Sequence, residues 1–235
     1  MTPRHLFRLA FALILVAASG VALAATPKAF TATYRVLRDG SPMGEATVSL
    51  KPIGDGQWEY RKHVRGTSGL AAMLGANLEE VSRFRWKDDA PEALSYDYQL
   101  DAAIKSKQRH VTVDWARHRV TVDEGKGAIT YPPKPGMVER NTTALAIGLA
   151  LRDGQKQIVL PVAVRQEVQT QRFKVTGKEK VTVPAGTYQA VRVDRTDADR
   201  GFSAWYAPDR YPLPVKLSQK EGGNLTMELV SFSPG

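Results

Sequence analysis

The 235-residue chain contains no cysteine. Disulfides, thiol catalysis and cysteine-ligated zinc or iron–sulfur centres are therefore excluded. Histidine is scarce as well. Beyond the first 24 residues only His63, His110 and His118 remain, and none stands in a His-x-x-x-His or Glu-x-x-His spacing. His110 and His118 flank a hairpin expected at Ala116-Arg117, which predicts that they face each other across two strands. Two imidazoles still fall short of the three or four ligands that zinc takes, so no metal site is expected. There is no P-loop and no Gly-x-Gly-x-x-Gly, hence no nucleotide cofactor to predict. Gly66-Thr67-Ser68-Gly69 lacks the Gly-x-Ser-x-Gly spacing of a nucleophile elbow. Asp97 and Asp101 share one strand face but lie about 13 Å apart along it, whereas a glycosidase pair needs roughly 5–9.5 Å. An enzyme is not expected.

What the chain does contain begins with an export pattern. Arg4, His5 and Arg8 precede an uncharged apolar run, and Ser19 and Gly20 lead into Ala22-Leu23-Ala24, a small-x-small cleavage pattern. Residues 1–24 thus read as a cleavable secretory signal. The apolar run is interrupted and short of the ~20 residues a membrane span needs. A periplasmic protein is the expectation, with residues 25–235 as a single β-rich domain.

The chain has 33 basic and 24 acidic residues, a net charge of +9. The cations are interleaved with acids, as in Lys178-Glu179-Lys180 and Asp194-Arg195. Nucleic-acid binders gather basic charge into one stripe, so no nucleic-acid partner is expected. An anionic envelope surface is the more fitting long-range partner.

Period-two alternation dominates. Phe30, Ala32, Tyr34 and Val36 alternate with polar residues; so do Ala46, Val48 and Leu50, then Leu94, Tyr96, Tyr98 and Leu100, then Val111, Val113 and Trp115. Such rows are half-buried antiparallel strands. Turn signals such as Asp39-Gly40, Gly54-Asp55-Gly56 and Asp88-Asp89 separate them, and the template counts about twelve strands. Two segments break the rhythm. Residues 68–75 read as a short helix capped by Ser68, with Leu70, Met73 and Leu74 on one stripe. Residues 141–152 read as a longer helix, apolar nearly all round and therefore buried. The preceding Tyr131-Pro132-Pro133-Lys134-Pro135-Gly136 reads as a stiff loop that divides the sheet. The predicted fold is mainly β: a curled antiparallel sheet, a roll or incomplete barrel, with one or two short helices packed on its concave face.

Three segments carry a resemblance. Tyr34-Arg35-Val36 stands with Gly44-Glu45-Ala46. Val183-Pro184-Ala185-Gly186-Thr187-Tyr188 precedes Val191-Arg192-Val193. Trp205-Tyr206-Ala207-Pro208-Asp209 leads into Leu213-Pro214-Val215-Lys216. As a set, over about residues 30 to 232, they resemble the DUF3108 family of exported bacterial proteins without an assigned function. The resemblance implies a Gram-negative envelope protein with a rolled antiparallel sheet, and it brings no catalytic residues.

The apolar inventory suggests a binding function. Gly69 and Gly75 bracket Leu70, Met73 and Leu74, an arrangement suited to a movable lid. Trp86 and Trp115, with Leu145 and Leu149 of the longer helix, complete a candidate apolar site for a lipid or other amphipathic ligand. The rival expectation is a scaffolding protein with a solid core and an unknown protein partner. It would work through an edge strand or through the basic residues Lys105, Lys107 and Arg109. Mass spectrometry of the exported protein is expected to find Ala25 as its first residue; an N-terminus still at Met1 would contradict the signal reading.

Overall fold

In β1 (Phe30–Arg38) the side chains of Phe30, Ala32, Tyr34 and Val36 are buried, and those between them reach toward solvent. The computed structural model describes residues 27–198, 201–220 and 223–235; the expected signal segment, 1–24, lies outside the described residues. From β1 the chain meanders through β2 (Ser41–Gly54), β3 (Gln57–Gly66), a short helix α1 (Gly69–Met73), β4 (Asn77–Lys87), β5 (Ala90–Ala102), β6 (Lys105–Asp114), β7 (Arg119–Asp123) and β8 (Ala128–Tyr131). It then forms β9 (Val138–Glu139) and α2 (Thr143–Arg152). It returns through β10 (Gln157–Ala163), β11 (Val168–Val183), β12 (Gly186–Arg195), β13 (Phe202–Tyr206), β14 (Pro214–Gln219) and β15 (Leu225–Pro234).

Among the described residues all fifteen strands belong to one sheet, in the order β8-β7-β6-β5-β4-β3-β2-β1-β15-β14-β13-β12-β11-β10-β9. The first and last strands pair at its centre. The proline-rich loop at 132–136 carries the chain from one edge to the other, where β9 pairs in parallel with β10. Fifteen strands exceed the expected twelve, and two of the extra strands, β8 and β9, are too short for alternation to show. The tight turns follow their residues. Asp39 and Gly40, at φ 50° and 79°, and Asp88 and Asp89, at φ 49° and 57°, take the left-handed values of type I′ hairpins.

Registered pairing turns the alternation into rows. Phe30, Leu50, Tyr60, Ser82, Tyr96, Val111 and Val122 are successive partners from β1 to β7, and all are buried. Curling brings β9 back onto β5, where the Ala93 N–H donates to Met137 O at 2.9 Å. The barrel stays incomplete: β6 to β8 overhang this seam, and the Tyr131 hydroxyl donates to Val164 O at 2.5 Å. The result is one large, open, curled antiparallel sheet.

α2 fills the concave side. Leu145 and Leu149 pack among Phe30, Tyr34, Leu50 and Leu213. Ile147 and Leu151 pack with Ile158, Phe173, Val193 and Tyr206. Ala146 packs against Val138 and Val162. Each large side chain so buried is worth about 1.5–3 kcal/mol. The Tyr206 hydroxyl donates to Ala144 O at 3.0 Å. The expectation for residues 141–152 is met by α2, whereas the cap expected at α1 is absent, since Ser68 makes no side-chain cap bond. Of the two helices only α2 occupies the concave face. α1 buries none of its residues.

Gly148 shows how closely α2 is seated. A Cβ at this position would lie 2.0 Å from Pro212 O. Helix propensity favours alanine by about 1 kcal/mol, but backbone cannot retreat as a flexible side chain can. Gly148→Ala is expected to lower stability by about 1–3 kcal/mol in urea unfolding. A gain in stability would contradict this seating.

Candidate functional site

The seven candidate residues do not line one cavity. Leu145 and Leu149 are sealed in the central core. Trp86 packs against that core, edge-on to Trp58 at 5.8 Å and Phe84 at 4.8 Å between ring centroids. Trp115 belongs to a separate cluster with Tyr96, Val111 and Val120, and its Nε1 donates to Ala93 O at 2.9 Å. Leu70 and Met73 are 67% and 83% exposed, and Leu74 is half-buried. The interior is therefore packed rather than open beneath a lid.

The lid expectation fails for a physical reason. α1 is fastened on both sides by backbone hydrogen bonds: Thr67 N to Met43 O at 3.0 Å, Gly66 N to Ala76 O at 2.8 Å, and Ala103 N to Leu74 O at 2.9 Å. Ala71 is the residue that meets the strand, because its atoms crowd the Gly66 Cα. That orientation leaves Leu70 and Met73 outside. The bond from Ala103 places the β5–β6 turn alongside, and there Ile104 is 81% exposed. Leu70, Met73 and Ile104 thus form an apolar rim at one end of the roll.

The histidine pair also fails. His110 lies opposite Asp123 in the β6–β7 ladder and hydrogen-bonds through Nδ1 to Asp97, whereas His118 sits in the turn at φ 54°. His63 pairs with Asn77 Oδ1 at 2.5 Å. No cluster of three or more His, Asp or Glu suited to a metal occurs among the described residues.

A polar row crosses the concave face beside the apolar one. Lys62, Glu80, Tyr98 and Arg109 are successive partners on β3, β4, β5 and β6. They share the parity of Tyr60 and Tyr96, two residues away, so they point the same way. Glu80 is fully buried. It forms an ion pair with Lys62, accepts the Tyr96 hydroxyl at 2.5 Å, and lies 3.6 Å from Arg140 Nε. Burial pushes its carboxyl up, but the Lys62 and Arg140 charges with the hydrogen bonds outweigh it and hold the group below the usual range. Glu139 is also buried, at the entry to α2. It accepts the Asn141 N–H at 2.7 Å and the Thr142 hydroxyl at 2.6 Å. Here burial wins over those bonds, helped by the Glu80 charge, and the carboxyl is raised. Asn141 ties this turn to the sheet by donating to Ser82 Oγ at 2.9 Å and Tyr60 O at 3.3 Å. Sequence reasoning missed Lys62, Glu80, Glu139 and Asn141 as a group. The parity of Tyr60 and Phe84 was the available signal for the first two.

The polar row ends in a cleft of about 620 Å³ at the rimmed end of the roll. Lys107 and Arg109 of β6, Glu124 and Lys126 of the β7–β8 turn, and Arg165 of the β10–β11 turn line it with Tyr98. Glu124 takes the Arg109 Nε at 2.7 Å on one oxygen and the Arg165 Nε at 2.6 Å on the other. Burial again pushes the carboxyl up, and Arg109, Arg165 and Lys107 together hold it low. Two of the basic residues singled out in the sequence, Lys107 and Arg109, are thus brought together with cations from distant turns. A smaller hollow of about 280 Å³ gathers Glu79, Asp97, His110 and Asp123.

Comparison with known proteins places the chain in context. The model of a family described as a protein of unknown function, DUF3108, matches residues 29–230. No curated protein matches the chain. Among solved structures, a β-barrel-like protein of the DUF1849 domain of unknown function from Brucella abortus is 10% identical; the match covers 90% of this chain and 99% of that one, with a TM-score of 0.50. A protein with a YmcC-like fold from Bacteroides fragilis is 11% identical, over 88% of this chain and 97% of that one, with a TM-score of 0.31. The first of these likenesses is one of fold alone.

Glu80 and Glu139 carry opposite pH signatures. The folded pKa of Glu80 lies below its unfolded value, so its stabilisation is full above the ordinary 4.5 and is lost as pH falls through the folded pKa. The raised Glu139 favours the fold below 4.5, and that contribution is lost as pH rises through its folded pKa. Glu80→Gln leaves Lys62 facing a neutral group and is expected to cost about 3 kcal/mol at pH 7. The gap from the parent should narrow toward pH 3 in urea unfolding; an equal gap at both pH values would contradict the account.

Proposed function

The chain belongs to the DUF3108 family, whose function is unknown, and on that footing we propose that it is a non-enzymatic protein of the bacterial cell envelope that engages an anionic amphipathic molecule, a lipid or glycolipid, at the rimmed end of its curled sheet. The observation that carries this reading is the pairing of the exposed Leu70, Met73 and Ile104 with the adjoining basic cleft. Apolar side chains beside a cationic surface match the two halves of such a ligand. The packed concave face argues against carriage inside the sheet and moves the ligand to its mouth. Export is supported by the pattern in residues 1–24.

The packed interior also favours a second reading, an envelope scaffolding protein without a small-molecule ligand. Its contact would be β8, which ends the sheet and has a strand on one side only. Cross-linking that recovers a stoichiometric protein partner through β8, without lipid, would support it.

Vesicle sedimentation tests the leading reading. The mature protein is expected to sediment with vesicles containing phosphatidylglycerol, and less so with pure phosphatidylcholine. Partial burial of two large apolar side chains is worth roughly 1.5–3 kcal/mol, so Leu70→Asp with Met73→Asp should weaken sedimentation at least about tenfold. Both side chains are exposed, so the urea midpoint should not move. Equal sedimentation of parent and variant would contradict the reading.

A further inference from the structure

We propose that the cleft between β6, the β7–β8 turn and the β10–β11 turn is a binding site for a phosphate-bearing anion. The proposal deepens the preceding reading of that end as the working surface, and it does not require attachment to a membrane.

Four cations, Lys107, Arg109, Lys126 and Arg165, converge there around one carboxylate, Glu124. They come from three separate parts of the chain, so the fold, not local sequence, assembles them. Glu124 occupies Nε and Nη2 of Arg109, the latter at 2.5 Å, and Nε of Arg165. It fixes both guanidinium planes without neutralising the cleft. Each guanidinium has further N–H donors in a rigid fork. Lys107 and Lys126 make no ion pair among the described residues, and the half-buried Tyr98 hydroxyl makes no hydrogen bond there.

Like charges held together are unfavourable until an anion joins them. A monocarboxylate would leave most of this surplus standing. A phosphate monoester brings a charge of about −2 and three acceptor oxygens, which suits two guanidiniums and two ammonium groups. At about 620 Å³ the cleft also has room for part of the molecule that carries the phosphate. The Tyr98 hydroxyl is protonated at neutral pH, and burial raises its pKa further, so it is available as a donor. The phosphate could belong to a lipid headgroup or to a soluble phosphorylated compound, and the experiment separates the two.

Inorganic pyrophosphate is titrated into the mature protein by calorimetry at low ionic strength, where screening is weak. Saturable one-to-one binding is expected. It should weaken at least tenfold in Lys107→Gln with Lys126→Gln, whose exposed, unpaired side chains the fold does not need, and in Arg165→Gln. Leu70→Ser with Met73→Ser, which removes the apolar rim without adding charge beside the cleft, should leave it unchanged. No binding by the parent, equal binding by the lysine variant, or equal binding of acetate would overturn the proposal. Vesicles of phosphatidylcholine with phosphatidic acid supply the second arm. If a lipid is the source, the lysine pair and the rim pair both lose vesicle binding. Pyrophosphate binding without vesicle binding sustains the cleft, assigns it to a soluble ligand, and defeats only the membrane reading.

Discussion

The concave face of a sheet this wide stays dry only if something fills it, and α2 is what does. Its side chains serve three directions at once, toward the central strands, toward β10 to β13, and toward β9. A helix in that place must be entered from somewhere. The chain enters by leaving one edge of the sheet at β8, crossing the loop at 132–136, and pairing β9 at the other edge. The curl, the seam at Ala93 and Met137, and the central pairing of β1 with β15 all follow from wrapping one sheet around one helix. A face filled in this way has little space left for a guest.

The charge is distributed to match. On the convex side, acids and bases alternate across strands, as Glu59 does with Lys51, Arg61 and Arg83. Glu59 is itself buried beneath these cations, whose own side chains stay 40–58% exposed. On the concave side one polar row interrupts the apolar ones. Glu80 is tolerated there because Lys62 and Tyr96 meet it at once. Farther along, Arg109 reaches the surface, and Glu124 and Arg165 join it. The row thus runs from a buried, ion-paired carboxylate to a cleft with surplus positive charge.

Much of this was legible in the sequence. Phe30, Ala32, Tyr34 and Val36 declare their face by alternation, and residues 141–152 declare burial by being apolar on every side. The DUF3108 resemblance, carried by segments such as Trp205-Tyr206-Ala207-Pro208-Asp209, was also within reach. The site was less so. Leu70 and Met73 look like core residues on a helical stripe, but α1 is too short to bury a stripe and docks through Ala71. Trp86 and Trp115 lie in different clusters because the overhang of β6 to β8 has its own core. Glu80 stands next to Glu79 and reads as surface until strand parity turns it inward. Lys126 meets Lys107 through the β6–β7 pairing, but Arg165 joins them only through the curl, a long-range geometry that no local spacing records.

Hydrogen exchange read by mass spectrometry, with and without vesicles containing phosphatidic acid, tests most directly whether the protein works at its rim around a filled interior. The account predicts new protection confined to α1, to the β5–β6 turn with the adjoining part of β6, and to the turns that carry Lys126 and Arg165, while α2 exchanges as slowly as before. Vesicle-dependent change in α2 and in the strands packed on it, with the rim unaffected, would show that the ligand enters the interior and would contradict the account.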